Sequence, residues 1–307
     1  MKLVFLGTGA IARSHAKRLR RYRDLELAFA SRDPARAEAI ARDLGGTSYP
    51  SYDAAINTPD VDIVAIVTPP DSHAELALSA LAAGKHVVLE KPAFLRAADV
   101  DQVAAAAARA NRRVFVAENY HYKPSLVRLC SLLAERVVGD VLFIHINALR
   151  LQTPPGWRKN LGALYEGGIH WVDFMAKFGE IRSVRGHAPG PRDTVERSML
   201  LTFDYAGGAI GTLAYSWEVP ATAKGLRLSK IYGRNGTITF ETNGIWILCH
   251  GTKTRLYLPG LRDLSGQRAM WADFVRAWRD DTDAAMTLAH ARRDLEIVEQ
   301  AYTTAGL

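Results

Sequence analysis

The chain has 307 residues, of which 48% are hydrophobic and 23% charged, and its formal net charge is +7. This length exceeds one typical core and predicts two domains of ordinary size. No uncharged apolar run reaches the roughly 18 residues that a membrane helix needs, and the apolar stretch before Gly7 is too short for a signal peptide. We therefore expect a cytoplasmic protein with no membrane partner.

The positive charge does not by itself indicate nucleic-acid binding. The densest basic cluster, residues 18–23, falls at the end of the first predicted helix, where cations suit the helix dipole and are usually solvated. No recognised nucleic-acid-binding module accompanies it. Excess positive charge instead favours an anionic cofactor or substrate, so we expect a small-molecule substrate and no nucleic acid.

The first predicted strand, residues 2–6, leads at once into a glycine-rich turn and a helix to about Arg21. The turn has the G-x-G-x-x-A pattern of a dinucleotide-binding fingerprint, in which the glycines allow a tight turn and a close approach of the pyrophosphate. Free N–H groups at the helix start would bind the negative charge. An ordinary glycine-rich connection is the alternative. The cofactor-binding candidates here are Gly7, Thr8, Gly9, Ala10, Ile11 and Ala12.

The end of the second predicted strand, residues 25–30, indicates which cofactor is preferred. An NAD site usually has an acidic residue there that binds both ribose hydroxyls. Here Ser31 and Arg32 come first, and a hydroxyl and a guanidinium suit a 2′-phosphate. We therefore predict that NADP(H) is preferred and that NAD(H) is possible. In the alternative interpretation Ser31 caps the next helix, Arg32 is solvated and Asp33 binds the ribose.

Two further strands, residues 62–67 and 86–89, each end in polar residues. The first breaks at Thr68, before a helix from about residue 71 to 83, and the second ends in Glu90-Lys91-Pro92. Ligands bind at the carboxyl ends of parallel strands, where a lysine can donate hydrogen bonds, stabilise charge or carry a proton. The alternative is a solvated strand end. Proline at position 92 also allows a cis peptide bond.

The order of the predicted elements changes near residue 120. Before it, strands and helices alternate, which predicts a parallel sheet covered by helices. After it, strand-like runs follow one another without helices, which predicts a largely antiparallel sheet. Helices near 163–178, 267–280 and 286–304 would cover one face of this sheet. The other face would pair with a second subunit, so we expect a homodimer or homotetramer.

One predicted helix of the second half carries unusual chemistry. Glu166, His170 and Asp173 are spaced at i, i+4 and i+7, so we expect all three on one helix face. A carboxylate one turn from an imidazole can orient it for proton transfer near neutral pH. Gly167 and Gly168 cost helix stability, about 1 kcal/mol each, which suggests a close approach by a ligand or a neighbouring backbone. The alternative is that His170 is a core histidine whose ring nitrogens are hydrogen-bonded within the protein.

These motifs together resemble those of the Gfo/Idh/MocA family of NAD(P)-dependent oxidoreductases. The resemblance covers nearly the whole chain, and Glu-Lys-Pro in this setting is highly specific. It implies an α/β protein with an N-terminal Rossmann domain, residues 1–120, and a C-terminal α+β domain with a large, mostly antiparallel open sheet, residues 121–307. The matching motifs are Gly7-x-Gly9-x-x-Ala12, Thr68-Pro69-Pro70-x-x-His73, Ala83-Gly84-Lys85-His86-Val87, Glu90-Lys91-Pro92, Trp157-Arg158 and Gly168-Ile169-His170-x-x-Asp173.

The resemblance also implies residue roles. Lys91 would reach both substrate and nicotinamide, and His170 would take the hydroxyl proton as a hydride leaves the same carbon. Asp173 would be a substrate contact or an orienting contact. The implied catalytic residues are Lys91, His170 and Glu166. The implied cofactor contacts outside the glycine-rich turn are Thr68, Pro69, His73, Glu90, Lys91, Trp157 and Arg158, and the implied substrate contacts are Lys91, Tyr120, Lys123, Glu166, His170 and Asp173. No metal is implied.

Glu166 departs from the family, which usually has aspartate at this position, and the longer side chain is compatible with a changed substrate or with a changed division of labour with His170. The predicted activity is hydride transfer between NADP(H) and a carbonyl or alcohol carbon of a sugar, cyclitol, sugar nucleotide or related polyhydroxylated molecule. One alternative is a regulatory protein of the same fold that senses NADP without turnover. Another is an enzyme that uses transient redox chemistry for elimination or glycoside cleavage.

Overall fold

A computed structural model of the chain describes residues 1–190, 195–220 and 226–307. It divides into two compact units. The first contains Met1–Glu118 and Met270–Arg292, and the second contains Asn119–Ala269 and Arg293–Leu307. The expected boundary at residue 120 lies two residues from the observed one, but the segment 270–292, which we expected in the second domain, belongs to the first unit.

The first unit is built on a six-stranded sheet in the order β3-β2-β1-β4-β5-β6. All its strand pairs are parallel, which confirms the predicted α/β class. The order reverses between β1 and β4, and in such sheets ligands bind at the carboxyl ends of the strands beside this reversal. The strands are β1 (Lys2–Leu6), β2 (Glu26–Ala30), β3 (Thr47–Tyr49), β4 (Ile63–Ile66), β5 (His86–Leu89) and β6 (Val114–Val116).

Five helices connect these strands: α1 (Ala10–Leu19), α2 (Pro34–Leu44), α3 (Tyr52–Ile56), α4 (His73–Ala82) and α5 (Ala97–Ala110). Strand β4 is buried over its whole length, which explains its uninterrupted apolar sequence. The short elements β3 and α3 were not predicted, because three to five residues are too few to show a hydrophobic period.

The second unit contains an eight-stranded sheet in the order β14-β13-β12-β11-β7-β10-β9-β8. In the described residues its neighbours are antiparallel except β7 and β10, which are parallel. The prediction of a mostly antiparallel sheet is therefore confirmed. The strands are β7 (Val141–Leu149), β8 (Ile181–His187), β9 (Ser198–Tyr205), β10 (Ile210–Ser216), β11 (Leu228–Gly233), β12 (Gly236–Glu241), β13 (Ile247–His250) and β14 (Thr254–Tyr257).

One face of this sheet is buried under helices of the same unit. Ile144, Phe203 and Ile231 point into a core to which helix side chains contribute from three elements. These are α6 (Pro124–Ala134), α7 (Ile169–Met175), which continues a π-helical turn at Leu164–Gly168, and the later part of α9 (Leu288–Ala305). The alternation of buried and exposed residues along each strand produces the two different faces.

We expected helix α8 (Gln267–Arg279) to cover the antiparallel sheet, but most of this helix is assigned to the other unit. From Met270 onward it belongs to the first unit, where Phe274 packs on Phe115 of β6 with ring centroids 5.1 Å apart. Its apolar face was readable from the sequence, but a helical period shows that a face is buried and not which sheet covers it. No helix in the described part of the chain has the length and apolar composition to cross a membrane.

Candidate active site

The glycine-rich turn between β1 and α1 needs glycine at two positions for different reasons. Gly7 has φ +109°, and a Cβ there would lie 3.1 Å from the carbonyl oxygen of Val67. At Gly9 a Cβ would meet no described protein atom within 4 Å. Protein packing therefore does not require glycine at position 9, whereas the approach of a phosphate to the backbone does.

The start of α1 is suited to an anion. Gly9 is its N-cap and has extended backbone, and no side chain in the described residues caps the first turn. The first N–H groups of a helix lack partners within the helix, and they attract negative charge. Ala12 is fully buried where α1 packs on the sheet, while Thr8, Ala10 and Ile11 keep exposed surface. The turn therefore fits the pyrophosphate of a dinucleotide.

The residues after β2 show which side chain caps α2. The cap is Asp33, whose Oδ1 accepts the N–H of Ala35 at 3.1 Å. Ser31 is buried, and its Oγ accepts the N–H of Asp33 at 3.3 Å. The alternative in which Ser31 is the N-cap is therefore wrong. Arg32 is exposed beside this cap.

The predicted groove residues after β4 are tied to one another and to the segment after β5. Ser72 Oγ donates to the carbonyl of Pro69 at 2.8 Å, so the 2.7 Å hydrogen bond between Thr68 and Ser72 uses the hydroxyl hydrogen of Thr68. His73 is buried, with its ring nitrogens 2.9 Å from the carbonyl oxygens of Thr68 and Ala93. His73 thus connects two loops, and the hydroxyl oxygen of Thr68 retains only lone pairs for a ligand.

Glu90 and Lys91 follow β5 directly, and the Lys91–Pro92 peptide bond is cis, which proline at this position allows. Oε2 of Glu90 accepts the backbone N–H of Lys91 at 2.9 Å, and Oε1 lies 2.6 Å from His15 Nε2. Burial acts to raise the pKa of Glu90, but the hydrogen bond from His15 and the neighbouring Lys91 hold this pKa below its ordinary value. The glutamate is therefore an ionised acceptor beside Lys91. His15 was not predicted, because one histidine on a helix face reads as a core residue.

The helix that carries the other catalytic candidates begins with the π-helical turn Leu164–Gly168 rather than with regular α-helix. Such turns are rare and occur frequently at functional sites. A Cβ at Gly167 would collide with the hydroxyl oxygen of Tyr215 on β10. The glycine therefore allows a neighbouring side chain to approach the helix.

Glu196 holds the start of this helix. Its carboxylate accepts the backbone N–H groups of Ala163 and Leu164, the latter at 2.8 Å, and it also accepts the hydroxyl of Tyr302. Burial raises the pKa of Glu196, while these donors oppose the shift. Glu196 was not predicted, because its partners lie far away along the chain.

Glu166 is buried and lies 3.3 Å from the guanidinium Nε of Arg158. Arg158 also lies over the ring of Trp157, 5.6 Å from its centroid. Both residues belong to the short helix Gly156–Asn160 of the second unit. Arg158, a predicted cofactor contact, therefore pairs with Glu166, a predicted catalytic residue.

His170 is stacked on Tyr120, with ring centroids 4.2 Å apart and an interplanar angle of 10°. The ammonium of Lys123 lies 4.3 Å from the centroid of the same tyrosine ring. Lys123 is almost fully buried, and burial lowers its pKa to about 8, with Glu241 acting to raise this pKa and Arg227 to lower it. The structure therefore brings together three of the predicted substrate contacts.

Asp173 lies among side chains that can donate hydrogen bonds to it or carry positive charge. Its buried carboxylate lies 3.1 Å from His121 Nδ1, 3.2 Å from an Arg293 nitrogen and 3.5 Å from Lys177 Nζ. Burial acts to raise the pKa of Asp173, but the hydrogen bond from His121 and the charges of Lys177 and Arg293 hold this pKa below its ordinary value. These contacts favour the orienting role over direct substrate contact. The i,i+4 pair with Lys177 is readable from the sequence, but the pair with Arg293 is not.

Comparison with family models gives two matches. A model described as "Oxidoreductase family, NAD-binding Rossmann fold" matches residues 1–118. A second, described as "GFO/IDH/MocA C-terminal domain", matches residues 126–239. The two matched regions include the glycine-rich turn, Glu90 and Lys91 in the first unit, and Glu166, His170 and Asp173 in the second.

Curated proteins with similar sequences include two named dehydrogenases. Trans-1,2-dihydrobenzene-1,2-diol dehydrogenase of Oryctolagus cuniculus is 32% identical over 200 residues, which cover 62% of this chain and 60% of the relative. Glucose-6-phosphate 3-dehydrogenase of Bacillus subtilis (strain 168) is 30% identical over 220 residues, which cover 67% and 62%. The matches therefore span about three fifths of the length of these relatives.

A similar fold occurs in the crystal structure of an oxidoreductase from Agrobacterium radiobacter in complex with NAD+, L-tartaric acid and magnesium. It has a TM-score of 0.89 at 18% sequence identity, covering 100% of this chain and 96% of that chain. The likeness therefore extends over both units of the fold.

Proposed function

This chain belongs to the GFO/IDH/MocA family of oxidoreductases, and on that premise we propose that it is an NADP(H)-dependent oxidoreductase of sugars, cyclitols, sugar nucleotides or related polyhydroxylated molecules. The observation that carries the proposal is the turn at Gly9, where an uncapped helix start and an open Cβ position suit a dinucleotide phosphate. The curated relatives support the substrate class, because they are named for a cyclic diol and for a sugar phosphate.

The bound cofactor would supply hydride transfer at nicotinamide C4, and the chain would supply binding and proton transfer. We assign the cofactor to the glycine-rich turn and to the residues that the family resemblance implies, with Arg32 and Ser31 for a 2′-phosphate. His170 is the proposed acid/base for the substrate hydroxyl, and its ring orientation is set by the stack on Tyr120. Lys91 is the proposed polar catalyst, and Glu166 is the third proposed catalytic residue.

The preference for NADP(H) rests on the residues after β2. Asp33, the acidic residue that would otherwise bind the ribose, uses a carboxylate oxygen to cap α2. Arg32 is exposed there, and a guanidinium binds phosphate oxygens in a favourable geometry. NAD(H) is the competing cofactor, in line with the NAD-binding description of the matched family.

The first experiment is a titration of the purified protein with NADPH and NADH, followed by quenching of tryptophan fluorescence. We expect tighter binding of NADPH, and we expect Arg32→Ala to weaken it by about 10- to 100-fold, as for loss of a hydrogen bond to a charged group. Arg36→Ala is the matched control, because Arg36 is also exposed and lies 3.9 Å from the same Asp33. Equal or tighter binding of NADH would contradict the NADP preference.

The second experiment measures turnover of a panel of keto-sugars and keto-cyclitols. The reduced cofactor is the one, NADPH or NADH, that binds more tightly in the titration. Lys91→Ala and His170→Ala should each lower kcat by about 100-fold or more, because positioned acid/base groups contribute at least that much. Glu166→Asp should retain much of the activity on the natural substrate. Undiminished turnover in both alanine variants would overturn the assignment. Binding without turnover would indicate a cofactor sensor, and turnover with only catalytic amounts of cofactor would indicate transient redox chemistry.

A further inference from the structure

A buried chain of hydrogen bonds in the first unit leads from α8 to the strand end that carries Lys91. The indole Nε1–H of Trp271 donates to His15 Nδ1 at 2.9 Å. His15 Nε2 lies 2.6 Å from Glu90 Oε1, and Glu90 Oε2 accepts the backbone N–H of Lys91 at 2.9 Å. Trp271 and His15 are each 1% exposed. Neither the family resemblance nor the proposed chemistry uses these two residues.

The hydrogen bond donated by Trp271 determines the tautomer of His15. An indole nitrogen can only donate, so His15 Nδ1 must be the acceptor and carries no hydrogen. A neutral imidazole then carries its hydrogen on Nε2, and this nitrogen donates to the Glu90 carboxylate. Both ring nitrogens of His15 are therefore committed within the protein, so His15 cannot exchange a proton with a substrate.

Both oxygens of Glu90 are consequently oriented by fixed donors. The side chain of His15 directs Oε1, and the main chain of Lys91 directs Oε2. The edge of the Trp271 ring also packs on the His15 ring, with centroids 5.2 Å apart and an interplanar angle of 76°. The imidazole can neither rotate nor tilt without losing a contact to Trp271 or to Glu90.

We propose that Trp271 locks His15 in the Nε2–H tautomer, and that His15 in this state holds the Glu90 carboxylate as a charged, oriented acceptor that positions Lys91. Trp271 and His15 are thus positioning residues, a role that depends on the proposed function because Lys91 is its polar catalyst. The tautomer and the state of Glu90 are properties of the protein alone and are measurable without a substrate.

The direct test is nitrogen-15 NMR of the imidazole rings in the full-length protein, with the His15 signals assigned by their loss in His15→Gln. We expect an unprotonated Nδ1 and a protonated Nε2 at neutral pH, and we expect Trp271→Phe to shift the Nδ1 resonance. A protonated Nδ1 in the wild type, or an Nδ1 resonance that Trp271→Phe leaves unchanged, would overturn the proposal.

The kinetic test uses four variants with matched controls. His15→Leu removes both hydrogen bonds of the ring and should lower kcat about 10- to 100-fold, the range for a hydrogen bond to a charged group, with a smaller change in the substrate KM. His15→Gln keeps a side-chain N–H for Glu90 and should restore most of kcat. A merely structural role of His15 would instead make the two variants equally slow, which would overturn the proposal.

Trp271→Phe is compared with Trp278→Phe in the same helix. Trp278 packs on the same aromatic cluster, but its Nε1 is buried and has no hydrogen-bond partner among the described residues. The two variants remove similar volume, and only the first removes a donor to His15. We expect a lower kcat in Trp271→Phe alone. Equal kcat values in the two variants would contradict the positioning role.

The two hypotheses fail in different ways. If the wild type turns over no substrate, the proposed function fails. The positioning proposal is then still tested by the tautomer of His15 and by the carbon-13 NMR signal of the Glu90 carboxylate. In that case we expect His15→Leu to shift the carboxylate signal and His15→Gln to shift it less. An unchanged carboxylate signal in His15→Leu would overturn the proposal without reference to catalysis.

Discussion

The role that we expect for Asp173 follows from the side chains around it. Its buried carboxylate is surrounded by His121, Lys177 and Arg293. Removing one partner from a buried group of charges leaves the others uncompensated, and this is far more costly than breaking an exposed pair. We therefore expect Asp173 to stabilise the second unit and to orient the helix that carries His170.

Asp173→Asn should lower the free energy of unfolding by about 3 kcal/mol at pH 7, the lower end of the range for breaking a buried ion pair. Urea denaturation followed by circular dichroism measures this change. The control is Asp140→Asn, which breaks an exposed pair with Arg136 and should have a much smaller effect. A raised substrate KM with unchanged stability would instead support direct substrate contact.

The difference in stability between the wild type and Asp173→Asn should depend on pH. Because the pKa of Asp173 is held below its ordinary value, its stabilisation is complete above that value, about 3.9. It is lost as the pH falls through the lowered pKa of the folded state. The stability difference between wild type and Asp173→Asn should therefore shrink below about pH 4. A difference that stays constant to lower pH would show that this ion cluster does not cause it.

At the scale of elements, the π-helical turn and α7 are positioned by contact with β10. Gly167 lies against the hydroxyl of Tyr215, and this hydroxyl accepts the indole N–H of Trp217 at 3.0 Å. The tyrosine is buried and held in place, so it cannot move away from a larger residue at position 167. The position of the helix that carries Glu166 and His170 therefore depends on the absence of one methyl group.

Gly167→Ala should lower the free energy of unfolding by about 2 kcal/mol, because overpacking a buried contact typically costs 1–3 kcal/mol. It should also lower kcat, since Glu166 and His170 flank the collision. The double variant Gly167→Ala/Tyr215→Phe lacks the colliding hydroxyl and should recover part of both losses. Gly207→Ala is the control, because a Cβ there meets no described atom within 4 Å. No recovery in the double variant would show that the contact with Tyr215 is not the cause.

At the scale of the molecule, the outward face of the antiparallel sheet carries exposed apolar side chains. The strand registers place Phe143 beside Ile210 and Tyr232, and Leu248 beside Leu256. The exposed apolar residues of this face are Phe143, Leu200, Ile210, Leu228, Leu248 and Leu256. Exposed apolar patches, such as the group around Phe143, mark interaction sites. We propose that two copies of the chain pair through this face, in a homodimer or homotetramer.

Phe143→Glu should lower the mass measured by light scattering at micromolar concentration, because a charge buried in the interface would be costly. Val127→Glu is the control, because Val127 is also exposed but lies on α6, which packs on the opposite face of this sheet. A monomeric wild type would contradict the proposal, as would an unchanged mass in Phe143→Glu.

Local patterns in the sequence predicted most elements and indicated several candidate site residues. The strand–glycine–helix pattern at Gly7 and the Glu90-Lys91 strand end depend on neighbours within a few residues, and the structure has both elements as predicted. The change from alternating elements to successive strands near residue 120 likewise predicted two sheets of different type. Such features are determined by chain stereochemistry and by burial of alternate or consecutive apolar residues.

The tertiary structure alone decided contacts between distant segments. Trp271 meets His15 across 256 positions in the chain, and Arg293 meets Asp173 across 120. It also decided that α8 packs with the parallel sheet, although its amphipathic sequence would suit either sheet. The physical reason is that a sequence pattern specifies which side of an element is buried, whereas the partner of that side depends on the packing of all elements together.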